Sequence, residues 1–219
     1  MNIDQIKKEF PIFDNKVQNN DLVYLDSANS AQKPRVVVDR IYDFYTKEFS
    51  NVGRSVHYLA VAATNLYETT RSSVQKYINA NDKNEIVFTK GATEAINLVA
   101  NTFGQKYLSE GDEVLLTELE HHSNYVPWHF LRKSKNIKIE FAEINEYGEI
   151  TLDSIEKKIT SKTKIIGITH LSNVTGAILP VKEIVKLAHS KNIPVLIDGC
   201  QSAPHLKIDM QDLDCDFYA

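Results

Sequence analysis

Apolar positions along this chain follow two rhythms. From residue 80 onward, short continuous apolar runs alternate with stretches in which apolar residues recur every three or four positions. The runs at 85–89 (EIVFT), 113–117 (EVLLT), 138–144, 164–170 (KIIGITH) and 194–198 (PVLID) predict strands. A run without alternation suits a strand buried on both faces, as in a parallel sheet covered by helices. The stretches 93–103, 123–134, 152–159 and 181–191 predict helices, the last through Ile184, Val185, Leu187 and Ala188. Strand–helix alternation of this size predicts an α/β fold with a doubly wound, mostly parallel sheet. The opening differs. Residues 1–10 form an amphipathic, charged helix pattern, 22–26 (LVYLD) a short strand, and two helical patterns run from Pro34 to about Phe49 and from about Ala60 to Ile78. Gly111-Asp112 and Tyr147-Gly148 mark turns.

Composition narrows the function classes. Among 219 residues, 42% are hydrophobic and 25% charged, as in ordinary soluble domains. A net charge of −4 gives no basic excess for nucleic acid. No apolar run reaches the length that spans a bilayer, and the first residues lack the apolar stretch of a secretory signal, so the expected location is the cytoplasm. Two cysteines, Cys200 and Cys215, make neither a disulfide framework nor a CxxC site, and both are expected as small buried residues. Of seven histidines only His121 and His122 are close, and adjacent side chains diverge, so no metal site is expected.

Polar groups collect where the apolar runs end. After the first run comes Lys90-Gly91-Ala92-Thr93-Glu94, where a glycine turn opens a helix whose free N–H groups suit a phosphate; equally, Thr93 and Glu94 suit simple helix capping. After the second come Glu120-His121-His122-Ser123-Asn124, either cap and surface groups or an imidazole placed to stack on a flat ligand or move protons. After the fourth comes a small polar loop, Ser172 to Gly176, in which Asn173 is a candidate donor to a ligand oxygen. After the fifth, Asp198 is followed three residues on by Gln201. A buried carboxylate that stays ionised can keep a ring nitrogen protonated, which makes a pyridinium an electron sink. Open α/β sheets bind ligands at such strand ends. Phosphate cradle, imidazole, amide, carboxylate and glutamine in this order match the needs of pyridoxal phosphate.

These segments resemble class V, fold-type I pyridoxal-phosphate enzymes, and within them the SUF-type cysteine desulfurases, whose near relatives include selenocysteine lyases. The likeness is carried by LDSANSAQKP at 25–34, GATEAINLVA at 91–100, EHHSNYVPW at 120–128, THLSNVTG at 169–176 and DGCQ at 198–201. It implies a large cofactor-binding domain over 22–219, incomplete at its C-terminal end, preceded at 1–21 by a helix and lead-in on the small-domain side. By position, the resemblance implies that Asp198 pairs with the pyridine nitrogen and Gln201 with the phenolic oxygen. His121 would stack on the ring and shuttle a proton, Ala92 and Thr93 would hold phosphate, and Asn173 would contact cofactor and substrate. The implied reaction converts L-cysteine to L-alanine and an enzyme-bound persulfide; the implied partners are a second copy and a sulfur-acceptor protein of the SUF system, without nucleic acid or membrane.

Three departures qualify the likeness. Gly53, in VGRSVH at 52–57, replaces a family histidine, and Cys200 stands where alanine is common, so it reads as packing. The family lysine that tethers the cofactor, the nucleophilic cysteine and the carboxylate-binding arginine all match positions beyond residue 219. Lys90, Lys207 and Cys215 lie outside the matching motifs. The chain as given is therefore expected to be an inactive, truncated fragment of a desulfurase. The alternatives are a selenocysteine lyase, epimerase or aminotransferase of the same class, and a short non-catalytic product that binds a partner.

Overall fold

The first helix forms where its ends are chemically satisfied. In the computed structural model, which describes residues 2–219, the Asn2 side chain accepts the Asp4 amide at 3.0 Å and caps α1 (Ile3–Lys8). Asp4 sits in its first turn and Lys7 and Lys8 in its last, as the helix dipole favours. β1 (Lys16–Val17) and β2 (Asn20–Asp21) pair antiparallel around Gln18 and Asn19, both at positive φ. α2 (Arg35–Asp43) runs into a π-turn at Phe44–Glu48, and α3 (Tyr58–Tyr77) follows. The chain divides into two compact units, one ending at Ser73 and the other spanning Val74–Ala219. The strand expected at 22–26 does not form. Val23 and Leu25 are 74% and 92% exposed, with no neighbouring strand to make a ladder.

The second unit is built on a sheet. It contains α4 (Ala92–Val99), a π-turn at Ala100–Gly104, α5 (Gln105–Tyr107), β3 (Glu113–Thr117), α6 (Val126–Lys135), β4 (Lys138–Ala142), α7 (Leu152–Glu156), β5 (Thr163–Thr169), α8 (Val181–His189), β6 (Val195–Asp198), α9 (Met210–Leu213) and β7 (Phe217–Tyr218). The strands stand in the order β4-β3-β5-β6-β7, and every neighbouring pair is parallel. Successive strand residues point to opposite faces, so each apolar run feeds two cores. Leu115, Ile166, Ile168, Val195 and Ile197 meet Ile155 of α7 and Val181, Ile184, Val185 and Ala188 of α8. Val114, Leu116, Ile165 and Leu196 meet Ile96 of α4 and Trp128 and Leu131 of α6. Burial on both sides is the physical reason that these runs do not alternate.

The run expected as a strand at 85–89 departs from expectation. Its first residue closes a 3-10 turn at Lys83–Glu85, Ile86 is extended, and residues 86–89 are assigned to no strand. Its composition suits a strand, but among the described residues no strand is assigned there. Ile86 is buried, whereas Val87 and Phe88 remain 66% and 40% exposed. The helix expected to begin at Thr93 starts one residue earlier, at Ala92.

The closing pair of strands depends on an absent side chain. The Gly199 amide donates to the Ala219 carbonyl at 2.7 Å, drawing the Tyr218 ring over the glycine. A Cβ at residue 199 would lie 2.0 Å from Tyr218 Cε1. The Tyr218 hydroxyl is anchored 2.7 Å from Ser202 Oγ and 3.2 Å from His170 Nδ1, so the ring cannot move aside without losing those bonds. Gly199→Ala is therefore expected to cost about 1–3 kcal/mol of stability through overpacking. Urea unfolding of the two chains measures it, and an unchanged midpoint would contradict the packing argument.

Candidate functional site

The carboxyl ends of β3, β5 and β6 lie side by side, because β5 pairs with both β3 and β6. At the end of β6 the chain delivers Asp198, only 5% exposed. Its Oδ1 accepts the Cys200 amide at 3.0 Å and its Oδ2 accepts the Ser123 hydroxyl at 3.4 Å. No lysine or arginine among the described residues forms an ion pair with it. Burial pushes its pKa above the usual aspartate value, against the lowering effects of the Cys200 amide, the nearby His121 and the Ser123 hydroxyl. Among the described residues this carboxylate has two donors, at the carboxyl end of the sheet.

His121 stands at the turn after β3. It caps the 3-10 turn His122–Asn124 by accepting the Ser123 amide at Nδ1, 3.2 Å away. The ring is exposed. Ser123, 8% exposed, touches both His121 and Asp198, so one buried hydroxyl joins the two sequence-predicted residues that stand at different strand ends.

Beneath this turn lies a polar network that the sequence did not single out. Glu120 is half-buried and its carboxylate is turned inward onto three donors. They are Thr117 Oγ1 at 2.6 Å, the Thr169 amide at 2.9 Å and Asn124 Nδ2 at 2.7 Å. Fully buried Asn124 passes the connection on by accepting Trp128 Nε1 at 3.4 Å. Glu120 thus ties the ends of β3 and β5 to the His121 turn. The sequence clue was the density of polar residues at 117–124, which by itself does not say which of them point inward.

The phosphate-candidate segment is built differently from a simple cap. Gly91 has φ 155° and ψ 176°, a region essentially reserved for glycine, and is the N-cap of α4 with no side-chain cap bond. Glu94 folds back to accept the Lys90 amide at 2.5 Å. Ala92 is half-buried and Thr93 exposed, at the first turn of a helix packed against the His122–Asn124 turn. Asn173 is exposed in the loop after β5, and Gln201 is half-buried in the turn after Asp198. The site therefore has a bridged centre, Asp198–Ser123–His121, with Gln201 next to it in sequence. Thr93 and Asn173 stand on adjoining segments without a bond to that centre among the described residues.

Cys200 corrects an expectation. It is exposed, because the turn after β6 directs its side chain away from the cores, while Cys215 is half-buried. Partial burial and the Asp198 charge push the Cys200 thiol pKa up; burial, with Asp216 and Asp214, pushes Cys215 to about 12.

Burial raises Glu120 from 4.5 to about 7, outweighing its three donors, with Asp198 adding to the rise. Between those two values the folded state holds a proton that the unfolded chain has released. Stability contributed by this group is therefore fully present below about pH 4.5 and is lost as pH rises through about 7. Glu120→Gln, which carries no titrating proton, is expected to flatten the difference in urea stability across this window. Parallel stability profiles for the two chains would exclude the assignment.

The Aminotransferase class-V family profile matches residues 23–219. A probable cysteine desulfurase of Halalkalibacterium halodurans is 47% identical over 219 residues, covering 100% of this chain and 54% of that protein. A cysteine desulfurase of Synechococcus elongatus is 44% identical over 216 residues, covering 99% of this chain and 34% of that one. Among solved structures, the apo cysteine desulfurase of Thermococcus onnurineus NA1 superposes with TM-score 0.91 at 34% identity, over 100% of this chain and 52% of its own. A cysteine desulfurase of Escherichia coli gives 0.87 at 36%, over 100% and 53%. The chain thus spans about half the length of most of these relatives.

Proposed function

Because this chain belongs to the class-V aminotransferase family, we propose that its strand ends form the seat for pyridoxal 5'-phosphate in a cysteine desulfurase. The observation that carries the reading is Asp198: a buried carboxylate at a strand end, with two neutral donors and no lysine or arginine paired to it among the described residues. Such a group is costly to bury until a charged N–H meets it, and a protonated pyridine nitrogen is a donor of that kind. The cradle at Gly91-Ala92-Thr93 offers backbone N–H groups and a hydroxyl at a helix start, which suit a phosphate.

When bound, pyridoxal phosphate supplies an electron sink for carbanion chemistry at an amino acid's α-carbon. The residues of this chain hold it and orient it. Asp198 would keep the ring nitrogen protonated; Ala92 and Thr93 would hold the phosphate; Gln201 would donate to the phenolic oxygen. His121 would stack on the ring and move a proton, and Asn173 would contact the cofactor and the substrate carboxylate region.

For a desulfurase of the relatives' full length, L-cysteine as substrate and L-alanine with enzyme-bound persulfide as products follow the desulfurase relatives. The strings at 25–34 and 120–128 favour the SUF-type group, and with it a cytoplasmic homodimer that passes sulfur to an acceptor protein. No helix of the described residues is long and apolar enough to cross a membrane.

Pyridoxamine 5'-phosphate tests the seat, because it lacks the aldehyde that would label surface lysines. Calorimetric titration of the full chain is expected to show binding that Asp198→Ala weakens about 10- to 100-fold, the worth of a charged hydrogen bond. No binding, or equal binding by the two chains, would refute the proposal.

A further inference from the structure

The hydroxyl of Ser123 has one proton and two acceptors. Its oxygen lies 2.8 Å from His121 Nδ1 and 3.4 Å from Asp198 Oδ2. The Ser123 amide also points at His121 Nδ1, from 3.2 Å. A ring nitrogen that accepts an amide N–H carries no proton of its own, so the imidazole proton belongs on Nε2. With Nδ1 as acceptor, the closer hydroxyl contact is a donation from Ser123, and Asp198 then lacks that donor. Rotation of the same O–H toward Oδ2 completes Asp198 and leaves the ring held by the amide alone.

We propose that Ser123 is a positioning residue that holds His121 in the tautomer protonated at Nε2 and shares its single hydroxyl proton between that ring and Asp198. The inference deepens the seat proposed above and rests on that reading for its use: a charged N–H brought to Asp198 would release the hydroxyl to His121. The outward Nε2–H would then be the edge of His121 presented to the crevice. The bridge itself belongs to the chain and exists without any ligand.

Other ionisable groups face this bridge and enter any titration of it. Glu120 and His122 flank His121 on the same turn, and Glu120 and Asp198 repel each other's charge. Cys200 follows β6, and Tyr218 on β7 senses the Asp198 charge. His170, bonded to Tyr218, closes the end of β5, and burial lowers its pKa.

The test uses the full chain without cofactor, with ¹⁵N-labelled histidine and ¹³C-labelled aspartate. Ring ¹⁵N shifts report the tautomer of His121, and the carboxyl shift follows Asp198. Ser123→Ala is expected to raise the share of the Nδ1–H tautomer about threefold or more, since one hydrogen bond to Nδ1 is gone. It should also move the Asp198 titration upward by about half a pH unit, the loss of one long hydrogen bond. Ser123→Thr, which keeps the hydroxyl, should restore both readings. Where the alanine chain does not fold, Asp198→Asn carries the test: without its anionic acceptor the hydroxyl turns to Nδ1, and residual Nδ1–H signal disappears. Unchanged ring shifts in Ser123→Ala, or in Asp198→Asn should the alanine chain not fold, overturn the proposal. Neither measurement involves pyridoxamine phosphate, so a failed seat and a failed bridge give different results.

Discussion

The second unit depends on one costly act, the burial of a carboxylate at the end of its sheet. Asp198 is brought to that place by Val195, Leu196 and Ile197, whose side chains are fully buried in the two cores. The strand cannot shift register to expose the carboxylate, because a slip of one residue would exchange the faces of all three apolar side chains. The neighbourhood is therefore arranged around a charge that packing has made unavoidable. The Cys200 amide, the Ser123 hydroxyl and the exposed His121 ring are its answers from within the chain.

The half-buried Glu120, its carboxylate turned inward, shows the same economy at a deeper level. A second carboxylate close to Asp198 looks unfavourable on electrostatic grounds, and the Asp198 charge does raise the Glu120 pKa. What it gains is geometry. Its three donors come from β3, β5 and the turn between β3 and α6, segments that no continuous ladder joins at that point. Through Asn124 and Trp128 the arrangement reaches into the apolar core, so the turn bearing His121 is held from below as well as capped from within. An exposed imidazole can thus be held in place while presenting its free edge outward.

Much of the fold could be read from apolar spacing because both sheet faces are covered. Unbroken runs at 113–117, 164–170 and 194–198 leave few structures other than buried parallel strands, and Ile184, Val185 and Ala188 mark one stripe of α8. The runs at 22–26 and 85–89 misled because apolar composition favours extension, whereas neither segment is assigned to a strand of the structure. The site was readable where one residue contradicts its surroundings, as Asp198 does after three aliphatic residues. Ser123, Asn124 and Glu120 stayed hidden because serine, asparagine and glutamate after a strand are ordinary turn residues. Their burial is a property of how the turn folds back, and the outward direction of Cys200 is another.

The strand order carries a consequence for how this unit is made. β3 is synthesised first, β4 joins one side of it, and β5, β6 and β7 then add in turn to the other. Every strand after the first finds its neighbour already present when it leaves the ribosome, and none has to be inserted between two standing strands. Parallel pairing still needs a long crossover each time, which is slow. The topology limits that slowness to one edge at a time, and the growing sheet can follow the direction of translation from Glu113 to Tyr218.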